Sequence, residues 1–138
     1  MSAGYSGTPL ARKLGYAGAV WAVNMPESVR MEIESTGDVH WQDRVNGSAA
    51  AHFFVTERQR LEQLISEARQ HLDDNAMVWV SWPKKAAKVE TDITEDVVRD
   101  VALPTGFVDI KVCAIDTVWS GLKLMVRKEL RNPNKKID

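Results

Sequence analysis

The residues best suited to chemistry gather around one stretch, Trp79-Val80-Ser81-Trp82-Pro83-Lys84-Lys85, an apolar strand that runs into a proline-stopped turn carrying two lysines. Ammonium and hydroxyl groups brought together suit a phosphate or a carboxylate. In a parallel sheet, ligands sit beyond the carboxyl ends of the strands. Read from the apolar runs, those ends are Asn24, Thr56, Ser81 through Lys85, and Asp116. A return hairpin brings Trp119-Ser120-Gly121 to the same edge and starts the strand that carries Lys123. The candidate anion site is therefore Ser81, Trp82, Lys84, Lys85, Asp116, Trp119, Ser120 and Lys123. Trp82 and Trp119, at turns, either stack on a planar ligand or cover the rim of the core. The simpler reading of the same residues is a solvated turn, because strand ends are wet and a lysine pair is usually surface.

Other chemistry finds less support. His40, His52 and His71 share no spacing and have no cysteine or carboxylate motif near them, so no metal site is expected. Cys113 sits between Val112 and Ala114 with no adjacent base, the setting of a buried, inert thiol. Ser6, Ser81 and Ser120 lack the Gly-x-Ser-x-Gly elbow of a hydrolase. Asp92 and Glu95 look like paired carboxylates, but helix capping explains both.

The elements that must position these groups alternate. Residues 1–7 read as an extended opening, and Thr8-Pro9 as N-cap and first residue of a short helix over 9–14, closed by Gly15. A continuous apolar run at 19–23 suits a parallel strand covered on both faces, and Pro26 opens a helix that runs to 34 on Val29 and Ile33. Val39-His40-Trp41 reads as a short edge strand, and 43–48 as a loop. Residues 50–55 form a strand, and Thr56 with Gln59 gives a capping box for a helix over 57–72 with Leu61, Leu64, Ile65, Ala68 and Leu72 on one face. After the strand at 76–81, Asp92 or Thr94 caps a helix on Val97, Val98, Val101 and Ala102, which Pro104 ends. Strands at 107–115 and 121–127 close the chain as an antiparallel hairpin, and 131–138 read as a frayed polar tail. The expected architecture is one α/β domain over 1–130, Rossmann-like, with a mostly parallel sheet, helices on both faces and an antiparallel C-terminal strand. Within it, 50–55, 76–81 and 107–115 are expected as neighbouring strands.

Composition sets outer bounds. The chain has 138 residues, 44% hydrophobic and 27% charged, which is ordinary for one globular domain. A net charge of −1 gives no field that favours nucleic acid or an acidic membrane. No apolar run approaches a membrane span, and the N-terminus lacks the basic-then-apolar pattern of a secretory signal. One cysteine allows no internal disulfide, so a cytoplasmic setting is expected.

From residue 50 to 127 the organisation resembles the C-terminal half of Rossmann-like methyltransferases: two strand-helix units, a strand preceded by Gly106-Phe107, then an antiparallel last strand. An adenosylmethionine site of that fold wants a glycine-rich turn after the first strand, whereas here the turn is Val23-Asn24-Met25-Pro26-Glu27. No cofactor is therefore expected. The chain also resembles a family of small bacterial α/β proteins of unknown function, through Gly4-Tyr5-Ser6-Gly7-Thr8-Pro9-Leu10, Trp79-Val80-Ser81-Trp82-Pro83-Lys84-Lys85, Thr91-Asp92-Ile93-Thr94-Glu95, Val112-Cys113-Ala114-Ile115-Asp116 and Trp119-Ser120-Gly121-Leu122-Lys123. That resemblance implies kinship without an activity.

Three functions follow as expectations. The first is a non-enzymatic module binding a small anion or a protein partner at the strand-exit edge. The second is a degenerate methyltransferase-like enzyme with an altered cofactor site. The third is an assembly subunit that self-associates through its sheet edge or exposed tryptophans.

Overall fold

The computed structural model describes residues 8–132. Six strands form one sheet: β1 (Val20–Val23), β2 (Trp41–Gln42), β3 (Ala50–Phe54), β4 (Met77–Pro83), β5 (Phe107–Ala114) and β6 (Trp119–Val126). Their spatial order is β2-β1-β3-β4-β6-β5. The first four are mutually parallel, and β6 runs antiparallel to both β4 and β5. The mixed α/β fold is thus a mostly parallel sheet with an antiparallel C-terminal strand.

One pairing differs from expectation. Strands β4 and β5 are not neighbours, because β6 lies between them. Burial accounts for this. Leu122 and Leu124 of β6 are fully buried, whereas Ile110, Lys111 and Val112 of β5 are exposed. A central strand needs apolar cover that the mixed β5 sequence does not use, so β5 takes the edge. A register irregularity between Asp109 and Lys111 blunts that edge.

Helices α1 (Leu10–Leu14) and α2 (Glu27–Glu34) cover one face, and α3 (Arg58–His71) and α4 (Glu95–Ala102) the other. On the α3/α4 face, Leu61, Leu64, Ile65 and Val98 meet Phe53, Val80, Trp82 and Leu122. On the α1/α2 face, Leu14, Val29 and Ile33 meet Phe54, Trp79 and Ile115. Trp79 also donates its indole N–H to the Leu14 carbonyl at 2.9 Å, which satisfies an orphan acceptor at the end of α1. Gly121 lets this face close, since a Cβ there would stand 2.9 Å from Ile115 Cδ1.

The caps shift from the expected residues. Pro9, not Thr8, holds the N-cap of α1, without a side-chain bond. Glu57 holds that of α3, and no Thr56/Gln59 box forms. Instead, Asp92 Oδ1 accepts from the Arg58 amide at 2.7 Å. The Thr56 carbonyl is drawn into the same joint by the Thr91 hydroxyl at 2.7 Å. Thr94 caps α4, accepting from the Val97 amide.

No helix among the described residues is long and apolar enough to cross a membrane. Residues 1–7 of the expected opening stretch and 133–138 of the expected tail lie outside the described residues. Arg131 and Asn132 are anchored, Arg131 Nε to the Val126 carbonyl at 2.9 Å and the Asn132 amide to Asp74 Oδ2 at 2.8 Å.

Candidate ligand site at the carboxyl edge

β4 runs two residues further than its sequence suggests, because β6 pairs with it through Pro83 opposite Trp119. That length decides where the expected site residues fall. Ser81 is fully buried, with Oγ 2.7 Å from His52 Nε2, and the other ring nitrogen of His52 meets the Tyr16 hydroxyl. Burial lowers the His52 pKa from 6.5 to about 3, so the ring stays neutral. Burial also raises the Tyr16 phenol well above its ordinary value. Ser81 thus closes an interior chain. Trp82 points to the opposite face and is 6% exposed, inside the α3/α4 core.

Lys84 and Asp116 do meet. The Lys84 ammonium donates to the Asp116 carbonyl at 2.6 Å, and its amide to the Val118 carbonyl at 2.7 Å. Asp116 Oδ1 accepts from the amides of Val118 and Trp119, both at 2.8 Å. These bonds fasten the β5–β6 turn to the end of β4. Lys85 opens an exposed 3-10 turn, Lys85–Ala87. Trp119 stands edge-on to Phe54 at 5.1 Å, and Ser120, opposite Trp82, is partly buried. Lys123 pairs with Trp79 on β4 and Lys111 on β5. It therefore lies four residues of strand from Trp119, about 13 Å. The structure brings together Lys84, Asp116 and Trp119, pairs Ser120 with Trp82 on the opposite face of the sheet, and sets Ser81 in the interior and Lys123 further down β6. Cys113 is half-buried rather than buried as expected, because it lies on the edge strand β5, and burial pushes its thiol pKa up.

A cleft of about 480 Å³ opens further along the same edge, lined by Ala22, Arg30, Trp41, Gln42, Asp43 and Arg44. Each wall has a local cause. Arg30 and Glu34 are four apart on α2 and so share a face. Both engage Trp41: Glu34 Oε2 accepts its indole N–H at 2.7 Å, and the Arg30 guanidinium carbon lies 4.7 Å from its ring centroid. Ser48, which is 4% exposed, braces the turn that carries Gln42 to Arg44. Its hydroxyl lies 2.7 Å from Gln42 Oε1 and 2.9 Å from the Arg44 carbonyl, tying both ends of the turn after β2. Among the described residues, neither Arg30 nor Arg44 is ion-paired with a carboxylate.

None of these lining residues stood out in the sequence. The signal that could have found them is the Arg30/Glu34 pair on one helix face, followed by Trp41-Gln42-Asp43-Arg44 closing a two-residue strand.

The turn after β1 bears on cofactor chemistry. Asn24 adopts the left-handed conformation with φ 57°, so the sharp turn is made, but by a residue that carries a side chain. Pro26, the N-cap of α2, has no amide to offer, and Glu27 adds a carboxylate in the first turn. These residues do not fit an adenosylmethionine cradle of bare backbone.

Comparison with known proteins identifies the fold. The chain is similar to a provisionally assigned type 11 methyltransferase from Sulfolobus solfataricus, with TM-score 0.52 and 14% identity over 89% of this chain and 79% of that one. It is also similar to the N-methyltransferase NodS from Bradyrhizobium japonicum, solved with S-adenosyl-L-homocysteine, with TM-score 0.52 and 7% identity over 87% of this chain and 83% of that one. No protein-family model and no curated protein matches the chain. At these identities the likeness is one of fold alone: a mixed α/β sheet, mostly parallel with an antiparallel C-terminal strand, similar to those methyltransferases.

Proposed function

We propose that this chain is a non-enzymatic binding domain on a methyltransferase-like frame, and that it holds a small anionic ligand in the cleft between β1, β2 and α2. The observation that carries the reading is the pair of guanidinium groups, Arg30 and Arg44, that line one cleft without a carboxylate partner among the described residues. Its position supports the reading too, because parallel α/β sheets take ligands beyond the carboxyl ends of their strands. Guanidinium forks bind phosphate and carboxylate through paired hydrogen bonds. The Lys84 and Asp116 turn is a weaker candidate, since its ammonium and carboxylate already bind backbone.

A second reading, a methyltransferase relative with an altered cofactor site, draws on the fold and is weakened by Asn24-Met25-Pro26.

The test is a thermal-unfolding panel of inorganic phosphate, nucleotides, coenzyme A, sugar phosphates and S-adenosylhomocysteine. A ligand at about a hundred times its dissociation constant adds roughly 2.7 kcal/mol. At this chain length that is roughly 5–15 °C in melting temperature. The shift is expected to disappear in the Arg30→Gln/Arg44→Gln double variant and to persist in Lys84→Ala. A shift lost in Lys84→Ala and kept in the arginine variant would move the site to the β5–β6 turn, against this proposal.

A further inference from the structure

We infer that the ligand of the cleft is a phosphorylated polyol with one phosphate, of the chemistry of a sugar monophosphate, rather than a nucleotide or an adenosyl compound. The inference rests on the small-anion reading above and narrows it to a class.

Aromatic surface is the first discriminator. A nucleobase is held by a free π face or an apolar slot. Trp41 is the one aromatic residue lining the cleft, and its ring is already in use. Arg30 lies over it at 4.7 Å, Tyr16 meets it at 6.0 Å and nearly at right angles, and it packs partly buried against the α1/α2 core. Ala22 is the other apolar residue in the wall, and it is too small to form a slot.

The remaining lining is polar and mixed in sign. Arg30 and Arg44 offer donors that match the several oxygens of one phosphate. Stacking on Trp41 restricts Arg30 before any ligand arrives, so less side-chain freedom is lost on binding. Asp43 stands in the same wall and can only accept. A hydroxyl suits it, while a second phosphate would meet its charge. One phosphate plus hydroxyls satisfies every group present. Bisphosphates and nucleoside polyphosphates do not. A volume of about 480 Å³ accommodates a phosphorylated pentose or hexose.

The experiment is calorimetric titration of the full chain with ribose 5-phosphate, glucose 6-phosphate, ribose, inorganic phosphate, fructose 1,6-bisphosphate, adenosine monophosphate and S-adenosylhomocysteine. Tryptophan fluorescence, compared between wild type and Trp41→Phe, provides a second readout. A monophosphorylated sugar is expected to bind at least roughly tenfold tighter than ribose, inorganic phosphate, the bisphosphate or either adenosyl compound. Arg30→Gln and Arg44→Gln should each weaken it by roughly tenfold or more. Asp43→Asn should weaken the sugar monophosphate and narrow the discrimination against the bisphosphate. Arg44 is exposed, so its variant keeps the test decisive if Arg30→Gln disturbs α2 packing. An adenosyl compound binding as tightly as the sugar phosphate, with the same arginine dependence, overturns the polyol class and leaves the small-anion reading standing. Sugar phosphate binding undiminished in both arginine variants overturns the assignment to this cleft. Absence of binding by every anion overturns both.

Discussion

His52 shows how a single residue can be legible as a type and illegible as a role. In sequence it is a histidine in an apolar run. In the fold it is fully buried between Tyr16 and Ser81, both ring nitrogens are engaged, and its pKa falls to about 3. The unfolded chain takes up a proton near pH 6.5 while the folded chain does not. The contribution is therefore fully present above pH 6.5 and is lost as pH falls from there toward 3. By pH 5 the loss is about 2 kcal/mol. Urea denaturation of wild type and His52→Gln at pH 8 and pH 5 checks this. Wild type should lose about 2 kcal/mol more than the variant over that interval. An equal loss would mean that the ring is protonated in the folded state. Ser81 was drawn into the candidate site for a related reason: a sequence gives the period of a strand but not its last paired residue. Two more residues of β4 carry Ser81 inside, and that pairing depends on Trp119, far along the chain.

The elements were more legible than their joints. The apolar spacing of α3 and α4 gave their buried faces directly, since a 3.6-residue period survives any tertiary context. Capping did not follow, because the acceptor for the first turn of α3, the Asp92 carboxylate, comes from a loop 34 residues away. Asp92→Ala is expected to cost about 1 kcal/mol, the usual value of an N-cap. Gln59→Ala should stay within about 0.5 kcal/mol of wild type. The reverse ranking in urea midpoints would restore the local capping box. The central position of β6 escaped the sequence reading for the same physical reason, since strand order is a long-range property. It rests in part on Gly121, where a methyl group would press on Ile115 Cδ1 at 2.9 Å and Trp79 Cε3 at 3.3 Å. Gly121→Ala should destabilise by about 1–3 kcal/mol, as overpacked cores do. A neutral effect would show that Ile115 can yield.

At the scale of the whole molecule, the alternation of strands and helices made the methyltransferase-like frame legible, and the same frame leaves function open, because folds host many chemistries. What distinguishes this chain is local: Asn24-Met25-Pro26 after β1, and a cleft of arginines, an amide and one carboxylate beside it. Adenosylmethionine is accordingly expected to show no micromolar binding by calorimetry, and such binding would promote the enzyme reading. The most direct test of the ligand site is an amide NMR titration with ribose 5-phosphate. The account predicts that the signals of Ala22, Gln42, Asp43 and Arg44 and the indole of Trp41 shift together with one dissociation constant. Shifts confined to Lys84, Asp116 and Trp119, or no shift at all, would contradict it.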